Sequence, residues 1–365
     1  MYPRIRTAKG AYLFDEEGKK YINFSESINI LGHRNQELLS VIRSHLKTEI
    51  IHYPMTISTQ PAASELVNKL KKVTGLNDGT AIFSSSGSEA CDIALSILSD
   101  FGPVVTLKGG YQGLSGQFLN KGEYDRLRYG HGFNLSFPKS RQVIDELEEF
   151  VNLGARSILL EELQVEAGVR EVYDGFLKDV KDAFPELLVC VDESYTGLGK
   201  TGRLFAYQWQ EIVPDIVVIG KAIGGGIPLG ITFLHKGVLD RLETAKRFRN
   251  NSFGSTAGNL MGLSIANFLI DKVSNDHFLG EVREKGDLFK TMFGEKLSRS
   301  IRGRGLILGI KLDEGNISDT IMKIREQGVY VTRMDDVIRI SPPLNIPQDI
   351  LIKGGKKIMN IIENL

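Results

Sequence analysis

Three short apolar runs in this sequence each close on an ionisable side chain: SILLE at Glu161, LLVCVD at Asp192 and DIVVIGK at Lys221. Runs this short, aliphatic and without polar alternation are what parallel strands covered on both faces require. A charge at the end of such a strand must be desolvated, paired or chemically used. Ligands of open α/β sheets sit outside the carboxyl ends of the strands. The same three positions therefore mark where a site is expected.

Ala81–Ser84, Val104–Leu107 and Ile231–His235 are further strand candidates beside Ser157–Glu161, Leu187–Asp192 and Asp215–Lys221. In SEACDIALSILSD the apolar residues Ala90, Ile93, Ala94, Ile97 and Leu98 recur at three and four, behind a capping-box spacing of Ser86 and Glu89. Residues 11–24 predict two strands around a Glu-Gly turn. Past residue 240 the rhythm changes. A helix near 256–272 leads to strand Leu306–Leu312, helix Asp319–Gln327, strands Val329–Thr332 and Val337–Ile340, and a final helix from Gln348. The expected fold class is α/β, a mainly parallel central sheet flanked by helices plus a smaller α/β domain. Segment 1–54 is expected to join the small domain, 55–240 to form the large cofactor-binding domain, and 241–365 to supply an interdomain helix and the C-terminal small domain.

Charge excludes some partners. Lys+Arg and Asp+Glu both number 45, so nothing in the balance argues for nucleic acid or an anionic membrane. The most apolar stretch, 216–234, is broken by Lys221 and three consecutive glycines, which makes it a poor membrane span. Arg4, Arg6 and Lys9 are followed by Asp15, Glu16 and Glu17 rather than an apolar core, so no secretory signal is expected. Cys91 and Cys190 are far apart and fit a reduced, cytoplasmic setting as core thiols. The histidines show neither HExxH nor zinc spacing, so no metal is expected. Glycine stands out at 39 of 365 residues, where about 7% is usual. The excess suggests tight turns or close approaches to a ligand.

A lysine followed by AIGGGIP, an aspartate closing a neighbouring apolar run and a small-residue helix start together match the needs of pyridoxal 5′-phosphate (PLP). The lysine must be a neutral amine to condense with the aldehyde. A carboxylate must hold the proton on the ring nitrogen. A phosphate needs backbone N–H groups at a helix N-terminus. Lys221, Asp192 and SSSGSEA (84–90) fit these parts, with Tyr111 of GGYQG as an aromatic for the ring face. GLGKTG (197–202) satisfies G-x-G-x-x-G, but RLFAYQWQ gives no helical stripe and Pro214 interrupts soon after, so a turn is expected rather than a dinucleotide site. A P-loop fails because Ser194 occupies its first glycine position.

FSSSGSEACDIAL, GYQG, LLEELQVEAGV, VDESYTGLGKTGRLFAYQ, IGKAIGGGIPLG, NSFGSTAGN, RGRGLILGI and VIRISPPL occur in that order. Together they resemble the class III aminotransferases of PLP fold type I, a family that includes ornithine and omega-amino acid aminotransferases and glutamate-1-semialdehyde aminomutase. The likeness runs from Asp15 to Leu344. It implies that Lys221 is the Schiff-base lysine and proton carrier, and that Asp192 is the partner of the pyridine nitrogen. Ser86, Gly87 and Ser88 match the phosphate-binding turn, and Tyr111 the ring-stacking aromatic. GSTAGN resembles the segment that reaches the phosphate of a neighbouring subunit, which implies a homodimer with a shared site; the register leaves Ser255 and Thr256 both open. Arg339 matches the arginine that holds a substrate carboxylate, and Glu161 a glutamate near the substrate and that arginine.

Some positions depart from the family pattern. Tyr195 stands where the family usually has Gln or Met near the 3′-oxygen of the cofactor, Gln112 replaces a histidine or tryptophan, and Glu162 replaces a proline. The connections around 98–104 and 113–157 are short, so the substrate cannot be carried over from relatives. The resemblance implies an aminotransferase moving an amino group from an amino acid donor to an aldehyde or keto acceptor. An aminomutase or racemase on the same scaffold, and a non-catalytic PLP-binding module, are the alternatives.

Overall fold

The computed structural model describes residues 2–47, 50, 52–54, 60–113, 132–241, 254–294, 300–312 and 316–364. Residues 251–253 of NSFGSTAGN and 114–131 of the short connection lie outside that set.

Seven strands form the central sheet, in the order Thr80–Ser84, Gly230–Leu234, Ile216–Ile219, Leu188–Asp192, Ser157–Leu160, Val104–Leu107, Phe133–Leu135. Gly230–Leu234 runs antiparallel to both its neighbours. The remaining pairings are parallel. The strand candidate Ile231–His235 thus supplies the one antiparallel member of this mainly parallel sheet. Its continuous apolar run reflects burial on both faces, which either direction satisfies.

Successive side chains of a strand point to opposite faces, and both faces here are covered. Leu188 and Cys190 pack with Ile82, Leu159, Ile216 and Val218 against the helix Gly87–Ser99, through its Ala90, Cys91, Ala94, Leu95 and Leu98. Val189 and Val191 join the larger cluster on the other face, with Leu66 and Leu70 of helix Pro61–Thr74 and Leu263 and Leu269 of helix Leu260–Val273. Each such fully buried leucine or isoleucine is worth about 1.5–3 kcal/mol. Asp192 has the parity of Cys190, so its side chain emerges on the face of the Gly87–Ser99 helix.

Outside this sheet, Ile5–Lys9, Tyr12–Asp15 and Lys20–Asn23 form an antiparallel meander that Val329–Tyr330 joins in parallel. Ile301–Arg304, Ile307–Lys311, Val337–Ile340 and Thr332–Met334 form an antiparallel sheet. The expected strand Val329–Thr332 is thus two strands in different sheets. The helix expected near 256–272 begins at Leu260, where the Asn259 side chain accepts from the Gly262 N–H at 2.7 Å. A second helix, Asp276–Thr291, follows it unforeseen. No helix among the described residues is long and apolar enough to cross a membrane.

Candidate active site

The strands ending at Leu160, Asp192 and Ile219 are immediate neighbours in the sheet. Glu161, Asp192 and Lys221 therefore leave the sheet side by side at its carboxyl edge. The strand before Lys221 is shorter than expected: it stops at Ile219, and Lys221 opens a single 3-10 turn, Lys221–Gly224. Lys221 has φ +46, a left-handed conformation that costs a non-glycine residue on the order of 1–3 kcal/mol and collects at functional sites.

Asp192 is held at both oxygens. Its Oδ1 accepts from the Ser194 backbone N–H at 2.8 Å, and its Oδ2 accepts from the Cys91 thiol at 3.1 Å. Glu161 accepts from the Tyr111 backbone N–H at 2.7 Å. Burial, and then the neighbouring Asp192 charge, push the Glu161 carboxyl well above the usual carboxylate range.

Opposite these groups the helix Gly87–Ser99 starts. Ser86 is its N-cap, and its hydroxyl accepts from the Glu89 N–H at 3.2 Å. Glu89 returns to the N–H of Ser85 at 2.6 Å, one residue earlier than a standard capping box. A β-carbon on Gly87 would lie 2.8 Å from the Ser194 hydroxyl, so only glycine lets the helix start come this close to the strand ends. The result is a cavity of about 350 Å³ lined by Ser86, Gly87, Ser88, Tyr111, Asp192 and Lys221, with Cys91 and Ser194 among its other walls.

Tyr195 and Arg339 stand beside that cavity rather than in its wall. Three basic side chains surround the Tyr195 ring: Lys221 Nζ at 5.0 Å, Lys200 Nζ at 5.4 Å and Arg339 Cζ at 5.4 Å from its centroid. Arg339 donates to Ser25 Oγ at 2.8 Å, and its buried Nε has no partner. Lys200 is wholly buried and donates to the Glu26 carbonyl at 2.6 Å and to Ser341 Oγ at 3.1 Å. Burial lowers its pKa to about 7, while the Glu26 carboxylate opposes that fall. Ser255 and Thr256 are exposed. Thr256 Oγ1 lies 3.3 Å from Ser85 Oγ of the same chain, and the Ser255 carbonyl 2.8 Å from His52 Nε2.

Cys91, Ser194 and Lys200 are the site neighbours that sequence reasoning missed. Cys91 and Cys190 are both buried, as expected of core thiols, but Cys91 also touches the site's carboxylate. The parity of strand Leu188–Asp192 combined with the first turn of the helix was the available signal for Cys91. Lys200 offered none, because a lysine between glycines in a turn reads as exposed.

The residues present fit PLP on the structure's own terms. The cavity joins a glycine-opened helix N-terminus, a strained lysine and an oriented carboxylate, and the Ser194 hydroxyl, buried in its wall, has no partner of its own. A mainly parallel sheet that assembles such a pocket at its carboxyl edge defines a PLP-dependent protein of fold type I. The family model "Aminotransferase class-III" matches residues 1–115 and 131–362. This chain belongs to that family, and its reaction is PLP-dependent amino transfer. It is 30% identical to the acetylornithine aminotransferase of Aquifex aeolicus over 373 residues, 97% of this chain and 95% of that one. Its fold matches the N-acetylornithine aminotransferase of Stenotrophomonas maltophilia (TM-score 0.82, 23% identity, covering 99% and 96% of the two chains). It also matches a PLP-bound amine transaminase of an uncultivated Pseudomonas species (TM-score 0.88, 19% identity, covering 100% and 95%).

Proposed function

We propose that this aminotransferase takes its amino group from a donor bearing a carboxylate and passes it to an aldehyde or keto acceptor, with Lys221 and Asp192 as its catalytic residues. The observation that carries this reading is the delivery of Glu161, Asp192 and a strained Lys221 to one edge by three adjacent strands. When bound, PLP supplies a carbonyl that condenses with amines and a ring that accepts an electron pair.

The chain's own residues do the rest. The N–H groups of Gly87 and Ser88, at the positive end of a helix capped by Ser86, hold the phosphate. Asp192, fixed at both oxygens, would hold the proton on the ring nitrogen. Tyr111 would cover a ring face, and the Tyr195 hydroxyl would serve the 3′-oxygen. Lys221 Nζ would hold the cofactor and would be the base that moves the proton amino transfer relocates. The Arg339 guanidinium, with its buried unpartnered Nε, receives the donor's carboxylate as a fork, and Glu161 borders that substrate.

The molecule works as a cytoplasmic homodimer in this reading. Ser255 or Thr256 reaches the phosphate of the partner's site, which fits their exposed position outside the wall of their own cavity. Two buried free thiols fit a reducing compartment. The division into 1–54, 55–240 and 241–365 is supported by the pairing of Val329–Tyr330 with Lys20–Asn23.

A donor screen followed by absorbance tests the reading, with ornithine and acetylornithine included because relatives carry those names. A carboxylate-bearing donor should convert the bound cofactor and release a free carbonyl product. A product that keeps its own labelled nitrogen would contradict amino transfer between molecules.

A further inference from the structure

Cys91 sits one helical turn into Gly87–Ser99, four residues after Gly87 and therefore on the same helix face. The helix thus points its free N–H groups at one end of the cavity and a thiol about 6 Å further along its axis. That thiol is 1% exposed, lines the cavity and donates to Asp192 Oδ2 at 3.1 Å. Burial and the adjacent Asp192 charge push its pKa well up, so it keeps the proton it donates. Independently, the Ser194 hydroxyl, 7% exposed in the same wall, has no partner, which marks the cavity as built for a polar ligand.

We propose that Cys91 is a positioning residue: its thiol holds Oδ2 of Asp192 so that the carboxylate meets the cofactor's ring nitrogen in one orientation. The proposal rests on the reading that Asp192 is that nitrogen's partner. A thiol is a weak donor, so it fixes the carboxylate's direction while leaving most of its charge for the ring. The Ser194 N–H on Oδ1 fixes the other oxygen from the backbone.

The test uses full-length protein with PLP, comparing wild type with Cys91→Ala, Cys91→Ser and Asp192→Asn. The readouts are the PLP Kd and the pH midpoint of the bound cofactor's absorbance change. Cys91→Ala should weaken PLP binding about tenfold and displace the midpoint, as loss of one hydrogen bond to a charged group implies. Cys91→Ser should restore both to within about twofold, which a purely structural role would not predict. If Cys91→Ala matches wild type while Asp192→Asn changes both readouts, the proposal is overturned and the Asp192 reading stands. A Cys91→Ser protein as impaired as Cys91→Ala also overturns it. If Asp192→Asn changes neither readout, the Asp192 reading falls and the proposal with it. Should Cys91→Ala fail to fold, the S–H stretch of the unmodified protein decides. One thiol band at a hydrogen-bonded position that moves in Asp192→Asn supports the proposal, and two bands that both stay put overturn it.

Discussion

The backbones of Gly87 and Gly220 meet so closely that a β-carbon on Gly220 would stand 2.7 Å from the Cα of Gly87. This contact locks the helix start onto the residue that precedes Lys221. Gly220 is itself extended, with φ −150, so space rather than backbone conformation demands glycine there. Gly220→Ala should cost about 1–3 kcal/mol by overpacking and should weaken PLP binding, because helix and lysine are forced apart together. Thermal melting and a cofactor titration check this. An alanine variant that melts and binds like wild type would show that the two elements are free to move.

Arg339 separates binding from chemistry. Arg339→Lys keeps the charge but loses the planar fork, so KM for a carboxylate-bearing donor should rise about tenfold to a hundredfold, the loss of one strong charge-assisted hydrogen bond. The maximal rate should change much less, and a donor amine without a carboxylate should not notice the substitution. Steady-state kinetics with a matched donor pair decides it. Equal losses for both donors would place the clamp elsewhere.

The parts of this molecule that follow from local pattern were legible in the sequence. Val104–Leu107 and Val337–Ile340 fall at their predicted bounds, and Ser86 caps its helix as its spacing with Glu89 implied. What escaped depends on the neighbours a residue acquires. Nothing in GITFL sets its direction between two other strands. Val329–Thr332 splits because Val329–Tyr330 pairs with a strand some 300 residues earlier, a pairing that local pattern cannot contain. Asp192 was legible as a charged strand end, but its thiol donor needed strand parity to be combined with the packing of the helix on the sheet, a contact neither segment contains alone.

Glu162 gives a pH test away from the reacting groups. Its carboxyl is buried and accepts from Gln210 Nε2 at 3.2 Å. Burial is the main cause that raises its pKa from 4.5 to about 8, against the pull of Arg304. Between those values the folded chain keeps a proton that the unfolded chain has released. The stability this supplies is full below the unfolded pKa and is lost as pH rises through about 8. Glu162→Gln can still accept from Gln210 but cannot ionise. Its melting temperature should therefore fall less than that of wild type between about pH 5 and about pH 9. Parallel profiles for the two proteins would contradict the raised pKa.

Glu26 predicts the opposite sign. Against the cost of its burial, His33 Nε2 at 3.0 Å and then hydrogen bonds from the Asn29 and Ile28 N–H groups hold its pKa down at about 2. Its stabilisation is present above the usual carboxylate pKa and is lost as pH falls toward about 2. Glu26→Gln should lower stability at neutral pH by on the order of 2–3 kcal/mol and flatten the acid limb of denaturation. Denaturant melts at two pH values measure both. An acid limb as steep as that of wild type would remove Glu26 from the account.

Every role assigned at the sheet edge depends on the amine at position 221 carrying the cofactor. Borohydride reduction of the PLP-loaded protein, followed by peptide mass spectrometry, tests this directly. The account predicts a single pyridoxyl adduct on Lys221, abolished in Lys221→Ala. An adduct confined to another lysine, Lys200 included, or none on a protein that holds PLP and turns over a donor, would contradict it.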